Sequence, residues 1–282
     1  MDPFVLCLVL GAAVLHASWN ALVKSGGDPW LRMGVVMGTS GLCGFALSPF
    51  VAFPEADVWP YLLASAAIHQ VYFVSVCMGY RVGDLSHVYP IQRGIAPVLV
   101  ALGAYLFMGE NLSTQGLAGV GLISLAILSL AIHTTKFPED IRPLGFALFT
   151  GVNIAVYSVI DGMASRVAED VFSYIVWLMI IGDIPFGIVA IVLTKRRGWN
   201  AVKGHFGKGM LGGVFTFSAY ALAIWAMSLA PVTYVSALRE TSVVVAAWIG
   251  CKLLNEPFGG RRILAASTVA IGVIVLHTSG VA

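Results

Sequence analysis

The chain has 282 residues, of which 59% are hydrophobic and 11% are charged, and its mean hydropathy is +0.89. Soluble domains carry about 25% charged residues, so this composition excludes a water-soluble globular protein and indicates an integral membrane protein. The net charge of +2 gives no reason to expect a nucleic-acid partner. The four cysteines lie in apolar runs without metal-ligand spacing, and we expect them to be small buried side chains with no metal site.

Apolar segments long enough to cross a bilayer follow one another along the whole chain. A transmembrane helix needs about 20 apolar residues, and breaks rich in Gly, Pro or Asn separate the segments. The first segment lacks the basic region that precedes a cleaved signal sequence, so we expect it to be a retained span. The sequence predicts ten transmembrane helices over residues 4–24, 30–52, 58–80, 84–108, 112–132, 143–165, 170–194, 208–229, 231–254 and 260–279.

The two halves of the chain resemble each other weakly. Asp84–Glu110 and Ala230–Glu256 are both apolar spans of 27 residues, and at their offset of 146 Arg93 aligns with Arg239. The first and sixth spans also match, at an offset of 137, and in each the matched residues form one helical stripe. These matched residues are His16, Asn20 and Lys24 in the first span, and Asn153, Tyr157 and Asp161 in the sixth.

An odd number of spans in each repeat means that the second half crosses the membrane upside down relative to the first. The sequence therefore predicts an all-α membrane fold in which two inverted five-helix repeats surround a central cavity, with residues 1–135 as the first repeat and 136–282 as the second. Inverted repeats of this kind place a substrate site near the middle of the bilayer.

Charged side chains inside a membrane span cost about 2.5–3.5 kcal/mol each, so they face protein or water. In the fourth span Arg93 lies between Pro90 and Pro97, which loosen the backbone and favour a kinked helix beside a cavity. Arg93 then either binds an anionic group of a solute, or pairs with Asp161 or Glu240 and holds the two halves together. The same two interpretations apply to Arg239.

Polar stripes on the first, third and sixth spans favour a cavity lining over hydrogen bonding between helices alone. The expected substrate-binding residues are His16, Trp19, Asn20, His69, Tyr72, Tyr89, Arg93, Asn153, Tyr157 and Arg239. Three carboxylates in apolar surroundings, Asp161, Asp183 and Glu240, are expected to couple transport to protons. Asp183, which precedes Pro185, has the alternative role of capping a kink.

With these features the chain resembles the EamA type of the drug/metabolite transporter superfamily over essentially its whole length. The resemblance implies a transport unit with a central cavity lined by helices 1, 3, 4, 6, 8 and 9, and substrates such as amino acids, nucleotide precursors, sugars or phosphonate-related metabolites. It implies a monomer or homodimer in the lipid bilayer, with a small-molecule substrate and no cofactor. The segments that carry the resemblance are HASWNALVK (16–24), GDLSHVYPIQRG (83–94), GE (109–110), APVTYVSALRETS (230–242) and NE (255–256).

The expected function is secondary transport of a small zwitterionic or anionic metabolite, amino-acid-like or phosphonate-like, by alternating access. The alternative is a membrane enzyme acting on a lipid or a phosphate-linked substrate. Asp161–Arg166 begins like the metal-binding motif of such phosphotransferases, but Ser165 departs from the motif and the downstream aspartates are missing. We expect no catalytic and no metal-ligating residues. A channel is disfavoured because inverted halves suit alternating access.

The loop charges predict the orientation of the chain in the cytoplasmic (inner) membrane. Of the sixteen Lys and Arg residues, thirteen lie in or beside odd-numbered loops and only Arg166 lies in an even-numbered loop, which places the odd loops in the cytoplasm. Both termini should then be outside the cytoplasm. The thirteen residues are Lys24, Arg32, Arg81, Lys136, Arg142, Lys195, Arg196, Arg197, Lys203, Lys208, Lys252, Arg261 and Arg262.

An alkaline phosphatase joined to the C-terminus should therefore be active, and a fluorescent protein joined there should be dark, because only the phosphatase matures outside the cytoplasm. The same pair of fusions placed after Gly198, in the polar stretch between the seventh and eighth spans, serves as the control and should give the opposite pattern. A fluorescent C-terminal fusion would contradict the predicted orientation.

Overall fold

The computed structural model describes residues 2–23, 28–83, 85–131, 140–245 and 260–279. Seven of the helices in this part of the chain are long and apolar enough to cross a membrane, and shorter apolar helices occupy Pro3–Trp19 and Ile263–Thr278. The predicted all-α membrane fold is confirmed. The helices are α1 (Pro3–Val23), α2 (Pro29–Leu47), α3 (Trp59–Val82), α4 (Leu85–Met108), α5 (Thr114–Ala131), α6 (Arg142–Val167), α7 (Val171–Arg197), α8 (Trp199–Leu229), α9 (Val232–Arg239) and α10 (Gly260–Thr278).

Local sequence explains where several helices begin. Asp28 caps α2 by accepting a hydrogen bond from the Trp30 N–H at 2.8 Å, and Asp170 caps α7 by accepting one from Phe172 N–H at 2.9 Å. Large apolar side chains remain exposed on the outer faces of the bundle, for example Phe107 at 72% and Leu125 at 67%. In water such exposure would be costly, but here these side chains face lipid.

Five of the helix contacts form a pattern that is unchanged when each helix of the first half is exchanged for its counterpart in the second. Helix α1 packs against α8 just as α6 packs against α3. Three further pairs each join a helix to its own counterpart, namely α2 with α7, α4 with α9, and α5 with α10. Two repeats related by a pseudo-twofold axis give this pattern. The predicted boundary at residues 135 and 136 lies outside the described residues.

The α2–α7 contact lies on that axis and is unusually close. A Cβ atom added at Gly187 would lie 2.5 Å from the Cα of Gly38, so the two backbones touch and neither position has room for a side chain. At the cytoplasmic end, by the predicted orientation, Arg197 of α7 pairs with Asp28 at the start of α2 at 2.5 Å. Small residues at a helix interface are how helices associate in a bilayer, where no hydrophobic force brings them together.

The predicted start of the eighth span at residue 208 is wrong. Helix α7 continues to Arg197 and α8 begins at Trp199, so only Gly198 separates them. Gly198 has φ 82°, a left-handed conformation that glycine adopts without strain. The polar stretch between the two predicted spans is rich in Lys and Arg, which are good helix formers in water. Its first residues therefore extend α7, and the residues after Gly198 begin α8.

The ninth span is not one continuous helix over residues 231–254, as the sequence predicted. Helix α9 ends at Arg239, and the Glu240 and Thr241 N–H groups donate to the carbonyls of Ala237 and Leu238 at 3.1 and 3.0 Å, in 3₁₀ fashion. The Thr241 hydroxyl also donates to the Leu238 carbonyl at 2.8 Å, a local bond that competes with the helical ladder. Residues 242–245 are helical again, and residues 246–259 lie outside the described part.

Helix α4, by contrast, remains helical through Pro90 and Pro97. The sequence placed the irregular backbone in the fourth span because of these prolines. The structure places it at the same depth of the matched span, next to Arg239 and Glu240. A 3₁₀ segment within a helix is often the site of a hinge, and a broken helix within the bilayer is tolerated only where protein or water surrounds it.

Candidate substrate site

A cavity of about 60 Å³ lies in the middle of the bundle, between residues of both halves. Seven helices contribute to its wall, which combines aromatic rings, thioethers and a few polar groups. Ligand clefts usually measure about 300–1,000 Å³, so this space is smaller than a typical ligand site in the described conformation. The lining residues are His16, Trp19, Met33, Met37, His69, Tyr72, Phe73, Tyr157, Met179, Asp183, Thr216, Ala219, Tyr220 and Arg239.

An aromatic cluster forms one side of the cavity. The His69 ring stacks on Tyr157 with their centroids 4.3 Å apart, and Tyr220 meets His69 edge-on at 5.5 Å. Tyr72 packs against Tyr157 at 5.5 Å. His69 is held in place from its own helix, because its Nδ1 lies 2.9 Å from the carbonyl of Ser65. These rings come from α3, α6 and α8 and bring the two repeats together.

Arg239 supplies the positive charge of the cavity. Its guanidinium lies 5.3 Å from the centre of the Tyr220 ring, a cation–π arrangement, and the residue is only 8% exposed. It is the last residue of α9, where the negative end of the helix dipole favours a cation. No ion pair to Arg239 occurs among the described residues.

Asp161 is fully buried next to the aromatic cluster and accepts several hydrogen bonds. Its Oδ1 accepts from the Tyr174 hydroxyl at 2.7 Å and from the Ser65 hydroxyl, and its Oδ2 accepts from the Tyr220 hydroxyl. The three donors come from α7, α3 and α8, so this carboxylate ties three helices to α6. Three hydroxyl donors can satisfy a buried carboxylate without a cation.

Arg93 meets Glu240, one of the two acids expected as its partner. The Arg93 Nε donates to Glu240 Oε2 at 3.0 Å, and its Nη2 lies 3.0 Å from Oε1 without hydrogen-bond geometry. Both side chains are almost completely buried, at 4% and 3% exposed. The pair joins α4 of the first half to the break after α9 in the second. Arg93 is not among the residues that line the cavity.

The other end of α9 is also held by the first half. Pro231 gives no side-chain cap, and Glu110, just after α4, takes that role. Its Oε1 accepts from the Val232 N–H at 2.8 Å, and its Oε2 accepts from the hydroxyl of Thr233 at 3.1 Å. Arg166 pairs with the same carboxylate at 2.5 Å. The Gly-Glu motif in the sequence therefore has a structural role.

The structure brings six of the ten expected substrate residues to the cavity, together with Asp183. Asn153 instead donates to the Phe149 carbonyl of its own helix at 2.7 Å, and Tyr89 is half-buried one turn before Arg93. Asn20 is in α1, but its side chain is outside the described part. The six residues are His16, Trp19, His69, Tyr72, Tyr157 and Arg239.

Several residues of the site were not singled out from the sequence. Tyr220 and Tyr174 lie in apolar segments, where nothing in the sequence distinguishes them from aromatic residues that only pack. Ser65 precedes His69 by one helical turn, and that spacing could have identified it. The resemblance implied that α4 lines the cavity, but the cavity-lining residues come from α1, α2, α3, α6, α7, α8 and α9. Helices α2 and α7 take part because their close glycine contact draws them towards the axis.

Replacing Arg93 by Ala should strongly destabilise the protein, because Glu240 would remain buried without its cation. Breaking a buried pair in this way costs about 3–5 kcal/mol. Adding Glu240→Gln to Arg93→Ala should restore most of the loss, as measured by thermal melting in detergent. Arg142→Ala is the matched control, since the Arg142–Asp140 pair is exposed and should not shift the melting temperature. An Arg93→Ala protein as stable as the parent would show that the pair does not hold the halves together.

The comparisons with known proteins agree with this architecture. The family model described as the EamA-like transporter family matches residues 3–132 and again residues 142–278. A solved structure described only as "Crystal structure of protein" superposes with a TM-score of 0.78 at 15% sequence identity, covering 98% of this chain and 96% of that one. At this identity the likeness establishes the fold alone. No curated protein is detectably similar in sequence. Because the family matches both halves, nearly end to end, this chain belongs to the EamA-like transporter family, within the drug/metabolite transporter superfamily.

Proposed function

We propose that the protein is a secondary transporter that carries a small anionic or zwitterionic metabolite across the cytoplasmic membrane by alternating access. The observation that carries this proposal is Arg239, a buried cation in the central cavity whose neighbouring acid is already engaged. Glu240 follows Arg239 directly but pairs with Arg93 instead. The guanidinium therefore remains available to a planar acid group of a solute, which it recognises with two parallel hydrogen bonds.

The size of the cavity supports alternating access. A space of about 60 Å³ is too small to hold an amino-acid-sized solute, so loading requires the helices around it to separate. The 3₁₀ break after α9 and the pseudo-twofold packing give the bundle a hinge and two symmetry-related ways to open. With the odd loops in the cytoplasm, one opening faces the cytoplasm and the other faces outside.

The proposal also includes coupling to protons through Asp161, Asp183 and Glu240. Each carboxylate lies in the membrane-spanning region and takes part in contacts between helices or with the cavity. Protonation of Asp161 would remove the charge that holds three hydroxyl donors, and protonation of Glu240 would remove the partner of Arg93. Either change alters which helices are joined, which is how proton uptake can drive a conformational change.

The first test uses purified protein in sealed proteoliposomes and a panel of small acids and amino acids. Arg239→Gln should abolish saturable exchange, and Arg239→Lys should weaken it by about 1–3 kcal/mol because charge remains but the planar fork is lost. Arg81→Gln, at the exposed end of α3, is the matched control and should transport normally. Exchange that survives Arg239→Gln in a folded protein would contradict the proposed role. Product formation without flux would point to the enzyme alternative.

Coupling is tested in the same vesicles by comparing uptake driven by a pH gradient with exchange of substrate for substrate. At least one of Asp161→Asn, Asp183→Asn and Glu240→Gln should lose gradient-driven uptake while keeping exchange, because exchange needs no net proton movement. Asp57→Asn, in the loop before α3, is the control. If all three variants keep gradient-driven uptake, protons do not couple through these residues.

A further inference from the structure

Tyr220 contacts a cation and an acid of the site at the same time. The Arg239 guanidinium lies over its ring, with 5.3 Å between Cζ and the ring centre, and its hydroxyl donates to Asp161 Oδ2. Tyr220 belongs to α8, Arg239 to α9 and Asp161 to α6, so one side chain joins three helices of the second half. A phenol can do this because its O–H group donates to an anion, whereas the face of its ring attracts a cation.

The two matched arginines are therefore held in different ways. Arg93 is held by the Glu240 carboxylate, which neutralises its charge and accepts from its Nε at 3.0 Å. Arg239 is held by a ring, and the hydroxyl of that ring is directed to Asp161. No ion pair joins Arg239 to Asp161 among the described residues, although a single tyrosine lies between them. The ring thus holds the guanidinium without neutralising it, and leaves its N–H groups to an acid group of a solute.

The ring of Tyr220 is itself fixed on several sides. His69 of α3 meets it edge-on with the ring centres 5.5 Å apart, and Tyr157 of α6 does so at 5.9 Å. The hydroxyl of Tyr220 is bonded to Asp161, a carboxylate that two further hydroxyls also hold. Because its edges are packed and its hydroxyl is bonded, the ring offers the guanidinium one defined position.

The place of Arg239 in the chain explains why it needs this support. It is the last residue of α9, next to the 3₁₀ turn at Glu240, and an arginine side chain has many rotamers to lose. An arginine that becomes ordered only when a ligand arrives binds that ligand more weakly than one that is already in position. A binding group is kept in position by the residues that pack against it and bond to its neighbours. Tyr220 and Asp161 are in the right places to do this for Arg239.

We propose that Tyr220 is the positioning residue of the anion-binding site: its ring holds Arg239 in the cavity, and its hydroxyl bond to Asp161 holds the ring. This inference rests on the proposed transport function and assigns the residue that prepares the site for its solute. It also gives Asp161 a part in substrate binding that does not depend on proton uptake. Without the hydroxyl of Tyr220, Asp161 would lack one of its donors and could pair with Arg239, which would neutralise the cation that the solute needs.

The test measures exchange of radiolabelled lactate, succinate, serine and glutamate in proteoliposomes, and continues with the acid that gives the highest flux in the parent protein. Tyr220→Phe keeps the ring and loses the hydroxyl. It should raise KM about 3- to 30-fold, as expected when a contact to a buried cation is lost, with little change in the maximal rate. Tyr220→Leu also loses the ring and should raise KM further. Tyr105→Phe removes a hydroxyl from an exposed side chain of α4 and is the matched control, which should behave like the parent.

Tyr174→Phe separates positioning of Arg239 from a general effect on Asp161. Tyr174 donates to the same carboxylate at 2.7 Å, but it does not line the cavity. Both Tyr→Phe variants should lower the melting temperature, whereas the rise in KM should be larger for Tyr220→Phe. Equal rises in KM, or a parent-like KM in Tyr220→Phe, would overturn the inference, and this comparison decides even if Tyr220→Leu does not fold. If the parent protein gives no saturable flux with any of the four acids, the transport proposal itself fails and the inference falls with it.

Discussion

The buried ion pair between Arg93 and Glu240 is the interaction on which the arrangement of the site depends. Within a bilayer neither charge could remain alone, and each is supplied by a different half of the chain. Because Glu240 is committed to Arg93, the adjacent Arg239 is left to face the cavity, where it rests on the ring of Tyr220. The pairing of Glu240 thus gives the two matched arginines different surroundings, because Arg93 is held in an ion pair and Arg239 faces the cavity.

The short helix α9 is the element that this pairing controls. It is only eight residues long, and residues of the first half contact it at both ends. Glu110 accepts a hydrogen bond at its start, and Arg93 pairs with Glu240 just beyond its last residue. A helix of eight residues has little stability of its own in water, and its contacts with Glu110 and Arg93 tie its position to that of α4. A movement between the repeats would therefore reach Arg239 through the contacts that Glu110 and Arg93 make with α9 and Glu240.

Much of the fold follows from composition and periodicity, because a lipid environment allows few choices. Apolar runs of bilayer length, their odd number in each half and the matched Arg93 and Arg239 predicted the inverted repeat. The sequence could not show whether Glu240 would pair with Arg93 or with Arg239. Glu240 is adjacent to Arg239 in the chain, but it meets Arg93 only through tertiary packing. The sequence also predicted the helix break in the wrong span. Pro90 and Pro97 are recognisable helix breakers in the sequence, whereas the 3₁₀ turn at Glu240 accompanies a contact from α4 that only the folded structure shows. The hydroxyls around Asp161 were missed for a similar reason, as Tyr174 and Tyr220 approach it from helices distant in sequence.

The long helices α7 and α8 restrict the kinds of motion that the molecule can make. With 31 residues α8 is about 46 Å long, whereas the hydrocarbon layer is about 30 Å thick. Lys203 and Lys208 lie near the N-terminal end of α8 and Lys195 lies at the end of α7, so we expect the overhang to be here, at the level of the lipid headgroups. Sliding this hairpin inward by one turn would carry several of these cations into hydrocarbon, at about 2.5–3.5 kcal/mol each. These cations favour a fixed depth for the α7–α8 hairpin, so the transport cycle that we propose would involve tilting of the two halves and no vertical sliding of this hairpin.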